Sequence, residues 1–211
     1  CGEKMMKVII KEAKREYNDI FKIEKVILQH EKFDGSMSKE IVRLNFNRGD
    51  SVAVLLYNSA KKSVVLVKQF RYPAYVDNGP GWLIECVAGI KDNGETSVAR
   101  KEILEETGFK IDKLRYLTQF YPSPGGCSEK ISLYLAFVET KDKIKKGKHM
   151  GVGNEDICVI EVPVSKALGM IQSGEICDAK TIISLFFLRD LLEASPNEPV
   201  SSGRACTSPG G

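Results

Sequence analysis

The chain has 211 residues, room for one generous domain or a domain with a small addition, and its 43% hydrophobic and 28% charged content excludes wholesale disorder. Lys and Arg number 31 and Asp and Glu 28, a net charge of +3 that gives no nucleic-acid footprint, and no apolar run reaches the ~20 residues of a membrane helix. The six cysteines form no Cys-x-x-Cys pair and read as reduced thiols of a cytoplasmic protein, while only two histidines, His30 and His149, leave any metal chemistry to carboxylates.

The opening Cys1-Gly2-Glu3-Lys4 carries no apolar signal segment. Residues 1–48 alternate basic and apolar positions, with strand-like runs at Lys7–Ile10, Phe21–Gln29 and Ile41–Phe46 and a turn signal at Asp34-Gly35. They predict a small antiparallel sheet whose one greasy face needs a partner surface, on the main domain or on another subunit. Residues 49–194 form the main domain. Ser51–Tyr57 and Ser63–Phe70 read as a hairpin of buried strands, and Trp82–Val87 as a third strand with Trp82 and Cys86 in the core. Glu95–Thr107 reads as a helix closed by Gly108. Leu114–Tyr121 and Ile131–Val138 are further strands, parted by Pro122-Ser123-Pro124-Gly125-Gly126. A basic loop at Lys141–Asn154, a strand at Ile157–Val162 and helices near Val164–Gln172 and Ala179–Leu192 complete it, and residues 195–211 form a disordered tail. Strands and helices mixed without regular βαβ alternation point to an α/β (α+β) fold, a mixed sheet covered by helices.

The helix carries the chemistry. Glu102, Glu105 and Glu106 stand three and four residues apart and are expected on one face, opposite Ala99 and Ile103. Like charges at that spacing repel by about 0.2–0.5 kcal/mol per pair. A divalent cation removes the penalty, and magnesium suits an all-oxygen set. A bare Glu-x-x-Glu-Glu equally describes a solvated helix face. The frame sets this one apart: Gly89 directly follows a buried strand, Gly94-Glu95 opens the helix and Gly108 ends it.

In that frame the segment resembles the signature of the Nudix hydrolase family, Gly-x5-Glu-x7-Arg-Glu-U-x-Glu-Glu-x-Gly-U with U apolar. Gly89 and Glu95 match its first two positions, and Lys101–Phe109 its second half with Lys101 in place of Arg. Between Glu95 and Lys101 stand five residues where the signature has seven. Lys68-Gln69-Phe70-Arg71, Glu85-Cys86-Val87-Ala88-Gly89, Ser123-Pro124-Gly125-Gly126 with Glu129, and Gly153-Asn154-Glu155-Asp156-Ile157 resemble the nucleoside diphosphate-sugar branch, which groups ADP-ribose and GDP-mannose pyrophosphatases. The likeness spans roughly Ser51 to Leu192.

The resemblance implies an α/β/α sandwich around the mixed sheet, with the N-terminal strands helping to build a homodimer. It implies hydrolysis, with Mg2+ or Mn2+, of the pyrophosphate bond of a nucleoside diphosphate sugar to a nucleoside monophosphate and a sugar phosphate. Glu102 and Glu106 would be the principal metal ligands, joined by Glu105 and the Ala88 carbonyl. Glu155 would be the catalytic base or an additional metal ligand, with Glu105 assisting the catalysis. Arg71 would grip phosphate, Phe70 or Tyr72 would stack on a base, and Gly125, Gly126 and Glu129 would line the substrate. Neither nucleic acid nor membrane is an expected partner. The shortened signature, and Gly153 where some members carry another Glu, motivate an alternative: a catalytically silent nucleotide-sugar sensor.

Overall fold

The computed structural model describes residues 6–194 apart from 77, 92, 93, 146, 148, 153 and 154. The expected tail at 195–211 lies outside the described residues. Two compact units emerge: residues up to Asp50 together with Tyr121–Lys130, and Ser51–Phe120 together with residues from Ile131 onward.

The first unit is a three-stranded antiparallel sheet of β1 (Val8–Asn18), β2 (Lys22–His30) and β3 (Ile41–Asn47), in that order. β1 runs well past Ile10, because pairing with β2 extends a segment whose own charged residues show no alternation, and two register shifts bend it. The sheet does not have one greasy face. Val42 and Phe46 stand opposite Ile27 and Ile23 on one side, while Ile41 and Ile10 flank Leu28 on the other, and no side chain of the three strands is fully buried. The Pro-Gly-Gly block lies along β3: the Phe46 N–H donates to the Gly126 carbonyl at 2.8 Å and the Ser128 N–H to the Phe46 carbonyl at 3.3 Å. That covers part of an edge that would otherwise offer unpaired backbone groups.

The second unit is a mixed sheet. β4 (Ser51–Asn58) and β5 (Ser63–Phe70) form the central hairpin. A four-residue helix, α1 (Tyr72–Tyr75), follows, with Pro73 in its first turn. β6 (Trp82–Glu85) pairs with β5 and β7 (Val87–Ile90) with β4, so the single predicted strand breaks at Cys86 to serve two neighbours. After α2 (Glu95–Thr107) come β8 (Arg115–Phe120), β9 (Ile131–Phe137), β10 (His149–Met150) and β11 (Ile157–Pro163), then α3 (Val164–Gln172) and α4 (Ala179–Ala194). The strand order is β10-β11-β5-β4-β9-β8, antiparallel except for the parallel pair β4–β9.

Every residue of β4 is buried, which is why its sequence reads as a continuous apolar run. Ala53, Leu55, Val64 and Leu66 face α3 and α4 through Ala167, Met170, Leu185 and Leu188. Val52, Val54, Val65 and Val67 face the other way, onto Ala99 and Ile103 of α2. Helices cover both faces, giving the α/β/α layering. Among the described residues no helix is long and apolar enough to cross a membrane.

Candidate active site

The backbone of the second unit gathers four pieces: α2, β7 beneath it, the Arg71–Glu85 pair at the ends of β5 and β6, and Glu155 just before β11. α2 is closed as expected. Gly108 adopts a left-handed conformation at φ 75° and its N–H donates to the Leu104 carbonyl. At its start Glu95 is held to the sheet: Oε2 accepts the Tyr134 hydroxyl at 2.6 Å, and Oε1 accepts Lys91 Nζ and the Ser132 hydroxyl at 2.5 and 3.0 Å. Glu95 therefore ties the helix to β9, and these three donors hold its carboxyl below the usual range against the opposing effect of burial.

The carboxylates of α2 do not all lie opposite Ala99 and Ile103. Glu106 is buried at 7% exposure on the same side as both, Glu102 is intermediate and Glu105 is paired at 3.9 Å with Lys101. At about 100° per residue Glu106 falls roughly 60° from Ile103 and 40° from Glu102, so it belongs to the buried arc and to the acidic one together. Glu106 Oε2 is buried without a hydrogen-bond partner. Burial and then the charge of Glu102 push its carboxyl up to about 8, with Glu155 and Glu85 adding to the rise and Arg71 opposing it. Glu102 is also raised, by burial first and then by Glu105, with Glu155 contributing. Glu105, Glu155 and Glu85 thus add to the penalty on the charges of Glu102 and Glu106. Gly89 of β7 makes room for the set: a Cβ there would lie 2.5 Å from Glu102 Cγ.

An unpaired buried oxygen beside mutually repelling carboxylates is the environment a hard cation relieves. Among the described residues no three Asp, Glu, His or Cys side chains stand close enough to hold a metal by themselves. Glu102 and Glu106 with a backbone carbonyl such as that of Ala88 in β7 fit an ion that needs only one or two protein carboxylates and keeps several waters, as magnesium does.

Arg71 is anchored rather than loose. Its Nε and Nη2 donate to Glu85 Oε1 and Oε2 at 2.8 and 2.9 Å, and its side chain remains 41% exposed. This fork leaves Nη1 for another acceptor. Phe70 is 45% exposed and packs on Trp82 at 5.6 Å and Tyr75 at 5.8 Å between ring centroids. Trp82 itself is 48% exposed, not core: it pairs with Phe70 where the ends of β5 and β6 emerge from the helix-covered sheet. Cys86 is fully buried, and burial pushes its thiol up to about 12.

Glu155 follows Gly153 and Asn154, which lie outside the described residues; the Val152 N–H donates to its Oε2 at 3.4 Å. Gly125, Gly126 and Glu129 belong to the first unit. The Gly126 N–H is used inside its own turn, on the Ser123 carbonyl, and Glu129 is buried with Arg48 at 3.7 Å. The Glu85–Gly89 block gives Glu85 no role of its own, yet its carboxylate organises Arg71; Lys180 in the first turn of α4 reaches Glu85, and Asp178 just before α4 pairs with Lys180. A signal was present: Asp178 directly before an apolar helix is a capping residue.

A family model described as "NUDIX domain" matches residues 47–182. The chain is similar to a GDP-mannose pyrophosphatase of Shigella flexneri, 46% identical over 146 residues that make up 68% of this chain and 75% of the relative. A GDP-mannose pyrophosphatase of Salmonella arizonae is 46% identical over 145 residues, with the same coverage, and one of Escherichia coli is 45% identical over 146. A crystal structure of an ADP compounds hydrolase superposes with a TM-score of 0.67 at 19% identity, covering 93% of this chain and all of that one, a likeness of fold.

Proposed function

From the membership of this chain in the NUDIX family, we propose that it hydrolyses the pyrophosphate bond of a nucleoside diphosphate sugar, GDP-mannose or ADP-ribose, to a nucleoside monophosphate and a sugar phosphate. The single observation that carries this reading is the unpartnered buried oxygen of Glu106 beside Glu102, where Gly89 lets a carboxylate lie against the strand.

Glu102 and Glu106 with the Ala88 carbonyl are the proposed ligands of a divalent cation, Mg2+ or Mn2+, and Glu105, paired with Lys101, supports them from beside the site. Such an ion, when bound, neutralises diphosphate oxygens and acidifies a water. The remaining work falls to the chain. Arg71, oriented by Glu85, places the free side of its guanidinium on a phosphate oxygen. Glu155 takes the proton of the attacking water as general base. Phe70, with Trp82 beside it, offers an aromatic surface to the base.

The GDP-mannose pyrophosphatases named above make that substrate the first to test. Exposed Val42, Leu44, Val8 and Ile10 on the first unit support a homodimer built through its sheet, and the free Cys86, Cys127, Cys158 and Cys177 support a reducing, cytoplasmic setting. The decisive experiment incubates the protein with GDP-mannose, ADP-ribose, UDP-glucose and a diadenosine polyphosphate in oxygen-18 water with Mg2+. Label in a nucleoside monophosphate or sugar phosphate identifies substrate and attacked phosphorus together. Turnover on a nucleotide sugar that Glu102→Gln abolishes, with nucleotide affinity retained, supports the reading; binding without turnover by the unaltered protein establishes the sensor instead.

A further inference from the structure

Glu155 approaches the acidic helix from a separate segment, and its place depends on how that segment is held. β10 and β11 form a short antiparallel ladder, with His149 opposite Cys158 and Met150 opposite Ile157, so Glu155 lies in the connection between them. Ile157, two residues beyond it, is buried in the same core as Ile103 of α2. Met150, on the other side, packs against that core and reaches the end of the helix. A Cβ on Gly108 would lie 3.2 Å from Met150 Cε and 2.6 Å from the Lys145 carbonyl oxygen. The N–H groups of Ile144 and Lys145 both donate to the Gly108 carbonyl, at 2.9 and 3.2 Å. Ile144, Lys145 and Met150 thus rest on the stop of the helix that carries Glu102 and Glu106.

Gly151 makes the turn from Met150 towards Glu155. Its φ is +113°, a conformation that residues with a Cβ rarely adopt. A Cβ there would lie 2.5 Å from the Glu155 carbonyl oxygen and 2.9 Å from Glu155 Cβ. The turn closes on itself: the Glu155 N–H donates to the Val152 carbonyl at 3.3 Å, and the Val152 N–H to Glu155 Oε2 at 3.4 Å. The obstacle to a side chain at Gly89 is a pliant Glu102, whereas at Gly151 it is the backbone of Glu155 itself. A methyl group on Gly151 therefore cannot be fitted without moving Glu155. The charge of Glu155 bears on both Glu102 and Glu106, so the three belong to one electrostatic set. Resting on the hydrolase reading above, we propose that Met150 and Gly151 are positioning residues for Glu155. Met150 docks the β10–β11 turn on the end of the catalytic helix, and Gly151 bends the chain so that Glu155 meets the attacking water from a fixed place relative to Glu102 and Glu106.

The test is a double-mutant cycle on the full chain with Mg2+ and the nucleotide sugar it turns over fastest: Gly151→Ala, Glu155→Gln and the two together. A reacting group misplaced by about 1 Å can cost about 100-fold, so Gly151→Ala is expected to lower kcat about 100-fold with KM within about threefold. In the Glu155→Gln protein the same change is expected to cost less than about threefold, because the group it places no longer acts. An unchanged kcat in Gly151→Ala overturns the inference. So do losses that multiply in the double variant, since Gly151 would then serve the fold rather than Glu155. Should Gly151→Ala not fold, Met150→Ala takes its place in the cycle and is expected to lower kcat about three- to tenfold, an effect that vanishes in the Glu155→Gln background. An unchanged kcat, or the same loss in both backgrounds, refutes the proposal. If the unaltered protein turns over no nucleotide sugar, the hydrolase reading fails, and a crystal structure of the variant still decides the role of the turn. Superposed on α2, Glu155 is expected to shift by about 1 Å or more while Glu102 stays in place, and an unmoved Glu155 overturns the inference.

Discussion

Replacing Gly89 by Ala separates catalytic geometry from stability. A methyl group at that position would stand 2.5 Å from Glu102 Cγ and 2.8 Å from its Cδ and Oε1. Carbon atoms settle about 3.5–4.0 Å apart, so the side chain must retreat by about 1 Å. All three nearest atoms belong to one flexible, half-buried side chain, and none of them is backbone. The rotamer strain costs about 0.5–1.5 kcal/mol, largely offset by about 0.5–1 kcal/mol from removing a glycine inside a strand. A displaced carboxylate is another matter. Metal–ligand distances tolerate about 0.2 Å, and a 1 Å misplacement of reacting groups can cost about 100-fold. Gly89→Ala is therefore expected to lower kcat/KM at least about 100-fold and to raise the Mg2+ concentration needed for half activity. Its melting temperature, followed by circular dichroism, should stay within about 3 °C. Full activity in the variant would refute the claim that Glu102 must lie against β7; an activity loss explained by unfolding would refute the claim that the clash is confined to one side chain.

The carboxyl of Glu106 makes the metal-free protein sensitive to pH. Folding raises it from 4.5 to about 8, so its contribution is fully present below about 4.5 and fades as pH climbs through about 8. In EDTA the melting temperature of the unaltered chain is expected to fall more steeply between those values than that of Glu106→Gln, and equal slopes would argue against a buried, proton-holding Glu106. Glu155→Gln should lower kcat by about 10²–10⁴ with KM within about threefold; a change in KM alone would assign Glu155 to binding instead. Tyr134→Phe leaves Glu95 short of one buried donor and is expected to destabilise the fold by about 1–3 kcal/mol in urea titrations while sparing KM. A variant with normal stability but impaired KM would move Glu95 from tying down the helix to contacting substrate.

The elements with strong periodicity or clear end signals were legible in the chain itself. The β4–β5 hairpin, α2 with its Gly108 stop, β9, β11 and the two last helices rest on apolar runs and caps, which act within a few residues. The acidic signature on α2 was legible for the same reason, because a helix turns fixed spacings into neighbours. Other features depend on partners distant in sequence. The break at Cys86 exists because β6 pairs with β5 and β7 with β4, with the freed N–H of Cys86 taken by Thr181, 95 residues away. β1 continues past Ile10 because β2 lies beside it. Trp82 reads as core and stands half exposed because its position in the sheet, not its hydrophobicity, decides what covers it.

Residue types and local spacing alone thus determined that Glu102, Glu105 and Glu106 share one stretch of a helix, since that depends only on helical geometry. Tertiary structure decided which of them is buried, what holds Arg71 in place and that Lys180 belongs beside it. Desolvation and ion pairing are properties of groups brought together by folding, and no window of sequence contains them.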